Sequence, residues 1–472
     1  MTSLLSSSAQ TGPQQGAWVD RVLLSGGEDD PCLRFGRPCD RGTLRAQVAE
    51  RQRQLADAGL AAGGTVALCL PPSPGYVATL LAAWRLGGQV SLLDHRLAEA
   101  EVRRALDRLA PQVLVQGTKA PGGAALRGYA DVEPVATALR RGRPAETGHA
   151  LIQLSSGSTG PSKVIGRTAA DLEAELGRYA LLPRFPRRGE RIVLLASMVH
   201  VLGLVGGLLH ALHAGVELVL PERLTAAGIL DAVSWDQRPT TVIGVPFYAE
   251  LLSGVAQPPG LPHFARMIVA GELVRPGVPA AFAARYGVPL GTMYGMTELG
   301  VIATDLTGEL HPAVEPTAGL CLEVRDGELH ILMPASPYLG ATDPARWSDG
   351  WLHTRDAARA QDGGRVVILG RNDSQVSIGG LKVDLTEVEH TLGSLPGVAE
   401  SVIVFEDGVI TAYAALADAT SAEAVRRRLG QELASYKQPR HLRVLPALPR
   451  TATGKLLRDP AGLRKAAEAA GG

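Results

Sequence analysis

An excess of charge of either sign is missing from this chain. Lys plus Arg number 47 and Asp plus Glu also number 47. That balance removes the basic footprint by which nucleic acid or an anionic membrane surface would be held as the main partner. Cysteine is scarce: Cys32, Cys39, Cys69 and Cys321 show no CxxC spacing and no ligand histidines beside them. A disulfide framework and a cysteine zinc site are thereby disfavoured, and reduced thiols in a cytoplasmic enzyme are expected. The N-terminus from Met1 to Ser8 lacks a basic region and a sustained apolar core. Residues 1–18 are therefore expected to be a disordered leader, not a signal peptide. No period of 20–50 residues repeats, which excludes a solenoid. Uninterrupted apolar sequence occurs once at length, since Ile192 to Val216 holds no Asp, Glu, Lys or Arg. Such a run is long enough to cross a bilayer. It also carries His200, His210, His213 and several glycines, and it divides into a strand (Ile192–Ala196), a helix (Leu202–His213) and a strand (Glu217–Leu220). No membrane span is expected.

What the chain does have is length and apolar content. At 472 residues and 46% apolar composition it can bury large cores, and two to four domains are expected. Thr65–Leu70 is a short apolar run; Val77, Leu80, Leu81 and Trp84 then fall at helical spacing; Gln89–Leu93 is again strand-like. Val102, Leu106 and Leu109 mark the next helix face and Val113–Val115 the next strand. Strands alternating with helices predict βαβ units and a mainly parallel sheet, hence an α/β fold. The rhythm returns from Ile192 to Val245 and from Met267 to Leu290. Ala120–Thr147, rich in Gly, Ala and Arg, reads as a solvated connection or irregular edge. After Leu369 short strands (Ser401–Phe405, Val409–Ala415) alternate with two charged helices, one opening on Thr420 and Glu423 as a capping box. A small α+β domain over 374–472 follows, with Gly370–Asp373 as hinge and 19–369 as the large domain.

Five segments carry chemistry. Ser155-Ser156-Gly157-Ser158-Thr159-Gly160-Pro161-Ser162-Lys163 follows the apolar run Leu151–Leu154. Glycines let the backbone approach closely, and hydroxyls, N–H groups and an ammonium match polyphosphate oxygens. The alternative is a flexible Ser/Gly surface loop; a Walker A loop is excluded, because no Gly-Lys-Ser/Thr closes it. Tyr294-Gly295-Met296-Thr297-Glu298 places a carboxylate at a strand end, where it is either a Mg²⁺ ligand or a solvated turn residue. Asp356 could accept from a ribose diol or simply occupy a turn. Arg371 could donate to the same ribose or form an exposed salt bridge. Lys455, behind Gly454, could be thrust into a cleft to neutralise developing charge or remain solvated.

Taken in order, these motifs resemble the adenylate-forming superfamily of acyl-CoA synthetases, aryl-acid ligases and peptide-synthetase adenylation domains. The resemblance runs from about Leu33 to Arg458. It implies a large N-terminal domain of stacked α/β subdomains and a small mobile C-terminal lid. It implies that ATP is gripped by Ser155–Gly160 and Lys163, that Glu298 reaches Mg²⁺, and that Asp356 and Arg371 hold the ribose. Lys455, Glu298, Thr159 and His200 stand at catalytic positions. Asp373 matches the hinge, and Gly379-Gly380 the segment near a pantetheine thiol. Gly271, Glu272, Tyr294, Gly295, Met296 and Thr297 match nucleotide-binding positions.

Departures from the family pattern are Val164, which stiffens a loop that is usually mobile, Arg355 in place of a glycine, and Ser377 in place of a common lysine. In Ser197–Gly203, His200 matches the acyl-CoA synthetase version of the motif, and no acidic residue is present to pair an α-ammonium. An unpaired buried ammonium is costly, so amino acid substrates are disfavoured. His200, Gly203, Val245, Phe247, Gly271, Gly295 and Met296 are expected to bind a small or medium hydrophobic or aromatic carboxylic acid. The thiol acceptor is coenzyme A in the first reading and the phosphopantetheine of an acyl carrier protein in the second. A degenerate, non-catalytic nucleotide-binding relative is the third reading. Oligomeric state stays open.

Overall fold

Buried β-branched and leucine runs make the central strands, as in Thr65–Cys69, where all five residues are buried. The helix after it, Pro74–Arg85, starts where Ser73 accepts from the Tyr76 N–H and Pro74 occupies the first turn. Strand Gln89–Leu92, helix Glu99–Leu109 and strand Val113–Gly117 continue the alternation. The computed structural model describes residues 16–117, 127–155, 163–340, 343–417, 420–450 and 456–471.

Two sheets dominate. The six-stranded sheet runs in the order Pro134–Ala138, Val113–Gly117, Thr65–Cys69, Gln89–Leu92, Leu151–Ser155, Lys163–Arg167. Its inner pairings are parallel, and Pro134–Ala138 adds antiparallel to Val113–Gly117. That edge strand lies inside the stretch expected to be a solvated connection or irregular edge. Only Pro134 of its five residues is buried, so it carries no apolar alternation to betray it. In the 14-stranded sheet, Pro31–Phe35, Glu217–Leu220, Arg191–Leu194, Thr240–Gly244, Phe264–Ala270 and Leu290–Met296 pair in parallel. From Gly300–Asp305 onward the pairing becomes antiparallel.

The apolar run from Ile192 to Val216 is cut as expected but differs in detail. Its helix is a π-helix over Leu202–Leu209 that turns α-helical at His210–Ala214. Gly203, Gly206 and Gly207 line it, and a Cβ on any of them would press on Ser197, Tyr179 or Leu194 within 3 Å. No helix among the described residues is long and apolar enough to cross a membrane.

The chain forms two compact units. One holds the residues up to His95 with Leu109–Gln153 and Val164–Gly370. The other holds Arg371–Gly472 together with Arg96–Arg108 and Leu154–Lys163. The second unit contains the hairpin Gln375–Ile378/Leu381–Asp384 and a three-stranded sheet of Val398–Glu406, Val409–Leu416 and His441–Leu445. Its core gathers Val383, Val388, Leu392, Ile403, Ile410 and Val425. Buried Lys437 donates to Glu387 at 2.9 Å and pairs with Glu101 at 2.7 Å. Burial alone would depress that ammonium, but the two carboxylates outweigh it and raise its pKa. Helix Ala422–Glu432 is capped by Ser421, whose hydroxyl accepts from the Ala424 N–H, and not by Thr420. Two adjacent hydroxyl residues compete for the cap, and the helix begins one residue later than the expected capping box.

Candidate functional site

The strand Leu151–Ser155 ends where the Ser/Gly-rich segment begins, and Lys163–Arg167 leads away from it. Ser156, Gly157, Ser158, Thr159 and Gly160 lie outside the described residues, as does Lys455. Lys163 opens its strand, half-buried. Val164 belongs to that strand: its carbonyl accepts from the Leu339 N–H at 2.8 Å, and the Gly166 N–H donates to Pro337 O at 3.0 Å. The expectation that Val164 stiffens a loop is corrected accordingly. A β-branched residue fits extended, ladder-bonded backbone.

The same ladder reaches Glu298. Ile165 bridges Tyr338, and the Tyr338 hydroxyl donates to Glu298 Oε1 at 3.0 Å. Glu298 follows the strand Leu290–Met296, which contains Tyr294, Gly295 and Met296, with Thr297 in the turn beyond. Gly295 has no room for a side chain, since a Cβ would sit 2.5 Å from the Gly300 carbonyl. Beneath the turn lies an ion pair that the sequence reading did not anticipate. Glu175 pairs with Arg167 at 2.6 Å, both essentially sealed from solvent. Glu175 Oε1 accepts from the Val301 N–H at 3.0 Å, and Arg178 donates to Leu299 O at 2.7 Å. One helix, Ala169–Leu181, therefore holds both sides of the segment behind Glu298. Burial lowers the Arg178 pKa from its ordinary value, with Glu175 pulling the other way. A signal was available: Glu175 falls among Leu172, Leu176 and Tyr179 on the buried helix face.

Asp356 is buried in the long strand Trp351–Ala360 and accepts from the Tyr294 hydroxyl at 2.5 Å. Its N–H donates to Thr354 Oγ1, and Thr354 donates to Leu329 O. Arg355, where the resemblance expects glycine, has φ of 61°, in the region that favours glycine. Its N–H and guanidinium both reach Glu328, and the guanidinium also donates to Ala345 O. In the second unit Arg371 forks onto Asp373 at 2.9 and 2.6 Å. Gly379 and Gly380 both take positive φ (57° and 81°) in the two-residue turn of the hairpin, as a type I′ turn requires.

His200 is half-buried where the chain enters the π-helix, its N–H donating to Ser197 O at 3.1 Å. Gly203 is obligatory, because a Cβ would lie 2.3 Å from that same Ser197 oxygen. Val245 is buried, while Phe247, the second residue of the helix Pro246–Ser253, is 53% exposed and packs edge-on against Tyr248. Gly271 takes φ of 94° after the strand Phe264–Ala270, leaving Glu272 half-buried.

A large α/β unit built on a mixed sheet that carries Glu298 and Asp356, together with a small α+β unit, is the architecture of the adenylate-forming enzymes. The chain belongs to this family: the model of AMP-binding enzymes matches residues 42–340, and that of the AMP-binding enzyme C-terminal domain matches 387–455. A p-hydroxybenzoic acid–AMP ligase of Mycobacterium marinum is 25% identical over 94% of this chain and 68% of its own length. An indoleacetate–CoA ligase of Aromatoleum aromaticum is 28% identical over 94% and 96%. This chain spans only 5% of a probable non-canonical nonribosomal peptide synthetase of Salinispora arenicola to which it is 28% identical over 86% of its length. Among solved structures, the o-succinylbenzoate CoA synthetase of Bacillus subtilis superposes with a TM-score of 0.79 over 97% of this chain and 99% of its own. At 22% identity that likeness speaks to the fold.

Proposed function

We propose that this protein uses ATP to activate a small or medium hydrophobic or aromatic carboxylic acid to its acyl-adenylate, and then passes the acyl group to a thiol, first of all that of coenzyme A. The observation that carries the reading is Glu298: its carboxylate is fixed by Tyr338, which is itself laddered to the strand leaving the Ser/Gly-rich segment. A hard carboxylate oxygen suits Mg²⁺, and among the described residues Tyr338 engages Glu298 through Oε1 alone. Mg²⁺ held by Glu298 would screen charge on the departing pyrophosphate.

The chain's own residues do the rest. Ser155–Gly160, with Thr159 among them, and Lys163 supply donors to the phosphates. Asp356, pre-oriented by Tyr294, accepts from the ribose, with Arg371 as a further donor. Lys455 stabilises the charge that develops as the acid's carboxylate displaces pyrophosphate at the α-phosphorus. His200, Gly203, Val245, Phe247, Gly271, Gly295 and Met296 shape the acid site, and Glu272 and Thr297 accompany the nucleotide. The aromatic acids in the relatives' names support an aryl substrate. The absence of any acidic residue from Ser197 to Gly203 argues against an α-amino acid. Asp373 serves as hinge in a boundary at 370–373, and Gly379-Gly380 serve the thiol step.

Transfer to a carrier-protein phosphopantetheine is the second reading, favoured by the likeness to a probable non-canonical nonribosomal peptide synthetase. Four unpaired thiols fit a reducing, cytoplasmic compartment. The test is ATP-dependent hydroxamate formation across a panel of aryl and acyl acids, followed by thioester formation with coenzyme A against a carrier protein. Lys455→Ala is expected to abolish acid-dependent pyrophosphate exchange and to spare thioester formation from synthetic acyl-AMP. Loss of neither half-reaction, or of both equally, overturns Lys455's assigned role.

A further inference from the structure

We propose that Glu328, His330 and His353 form a binding site for a soft divalent transition metal such as Zn²⁺, separate from the nucleotide machinery. One donor atom from each of the three lies within 4.8 Å of the others. The strand register produces this cluster. Glu328 and His330 are two apart on the strand Glu328–Leu332 and so share a face, and His330 stands directly opposite His353 on Trp351–Ala360. Burial alternates along the second strand, with Leu352, Thr354, Asp356 and Ala358 buried and His353 and Arg355 only half-buried. The cluster therefore occupies the face opposite to Asp356.

Two further observations point to a ligand. His330 is 8% exposed, yet its Nδ1 is sealed from solvent with no hydrogen-bond partner. A buried imidazole nitrogen with nothing to bond is costly unless something occupies it. The His353 ring sits 4.6 Å from that of His330, and its Nε2 meets the Ser348 hydroxyl at 3.0 Å. That is how outer partners orient a ligating imidazole, with Nδ1 left as the donor.

Two imidazoles and one carboxylate select Zn²⁺, Co²⁺ or Ni²⁺ over Mg²⁺, which prefers all-oxygen sets. Metal–ligand bonds of about 2.0–2.2 Å at tetrahedral angles put donors about 3.3–3.6 Å apart, so the widest of the three spacings must close by about an ångström on binding. Opposing charge is also present: Arg355 holds Glu328 through its N–H and guanidinium, and Arg325 stands directly across the hairpin from Glu328. These cations compete with the metal, which predicts binding weaker than that of a closed structural zinc site.

The test uses the whole chain, stripped of metal with a chelator, with no ATP or acid present, so that its outcome is independent of the proposed activity. Co²⁺ is titrated while visible absorption is followed, and Zn²⁺ is titrated by calorimetry. One saturable equivalent with nitrogen-ligand absorption is expected. His353→Gln is expected to weaken it about tenfold or more. Arg355→Gly, which frees Glu328 and suits a left-handed φ, is expected to tighten it. No saturable binding, affinity unmoved by His353→Gln, or affinity unmoved or weakened by Arg355→Gly would each overturn the site. Should His353→Gln fail to fold, Arg355→Gly decides alone.

Discussion

The Tyr338 hydroxyl donates to Glu298 at 3.0 Å from a residue whose own backbone is bridged to Ile165. A single tyrosine thus fixes the carboxylate proposed to carry Mg²⁺ to the strand that follows the Ser/Gly-rich segment. Tyr338→Phe removes the bond and keeps the ring. A bond of this kind is worth about 1 kcal/mol, so the Mg²⁺ concentration for half-maximal pyrophosphate exchange should rise about fivefold. The KM for the acid should stay put. A shifted acid KM with unchanged Mg²⁺ dependence would mark Tyr338 as a packing residue only.

Glu175→Gln tests the buried pair behind Glu298. It strands the Arg167 guanidinium, both side chains being at most 3% exposed. Breaking one partner of a buried pair costs about 3–5 kcal/mol, whereas replacing both with apolar groups is often neutral. Calorimetry should show a large drop in melting temperature for Glu175→Gln, partly recovered in Glu175→Leu/Arg167→Met. Equal losses in single and double variants would deny the coupling.

Gly203→Ala drives a Cβ against the Ser197 and Ala196 carbonyls, which are backbone and cannot swing aside. The strain should cost about 1–3 kcal/mol and displace the turn that bears His200. Steady-state kinetics should then show a raised acid KM with the ATP KM nearly unchanged.

His210 supplies a pH dependence. It is packed between Tyr179 and Phe185, and Nε2 donates to Pro186 O at 2.8 Å. Burial holds its pKa down to about 4, against an ordinary 6.5. The unfolded chain therefore takes up a proton on acidification before the folded chain does. Its contribution is intact above about 6.5 and is lost as pH falls toward 4, at up to about 1.4 kcal/mol per unit. Urea midpoints should fall from neutral pH to about 5, and more steeply than in His210→Gln.

Much of this architecture was legible because buried parallel strands advertise themselves. Thr65–Cys69 and Glu217–Leu220 are apolar runs flanked by helical periodicity, and both stand within a residue of their expected ends. Pro134–Ala138 was hidden because it pairs at an edge with Val135 49% exposed, leaving no burial pattern to read. The π-helix was hidden for another reason: its wider turn depends on glycines fitting against Tyr179 and Leu194, contacts between distant segments. Tyr294, Glu298 and Asp356 could be singled out by residue type and order. The tyrosine hydrogen bonds that hold the two carboxylates could not, since Tyr338 lies 40 residues from Glu298 and Tyr294 lies 62 from Asp356. The three-residue cluster at His330 needed a strand register, with its irregularity between Glu328 and His330, that no local pattern encodes.

Gly300 deserves a reading as one half of a shared inheritance. Its missing side chain leaves the volume that the Glu175 carboxylate fills, 2.0 Å from where a Cβ would stand. Positions 300 and 175 should therefore change in concert across homologues. A lineage that gains any side chain at 300 should carry a shortened residue at 175 and, with that negative charge gone, an uncharged one at 167.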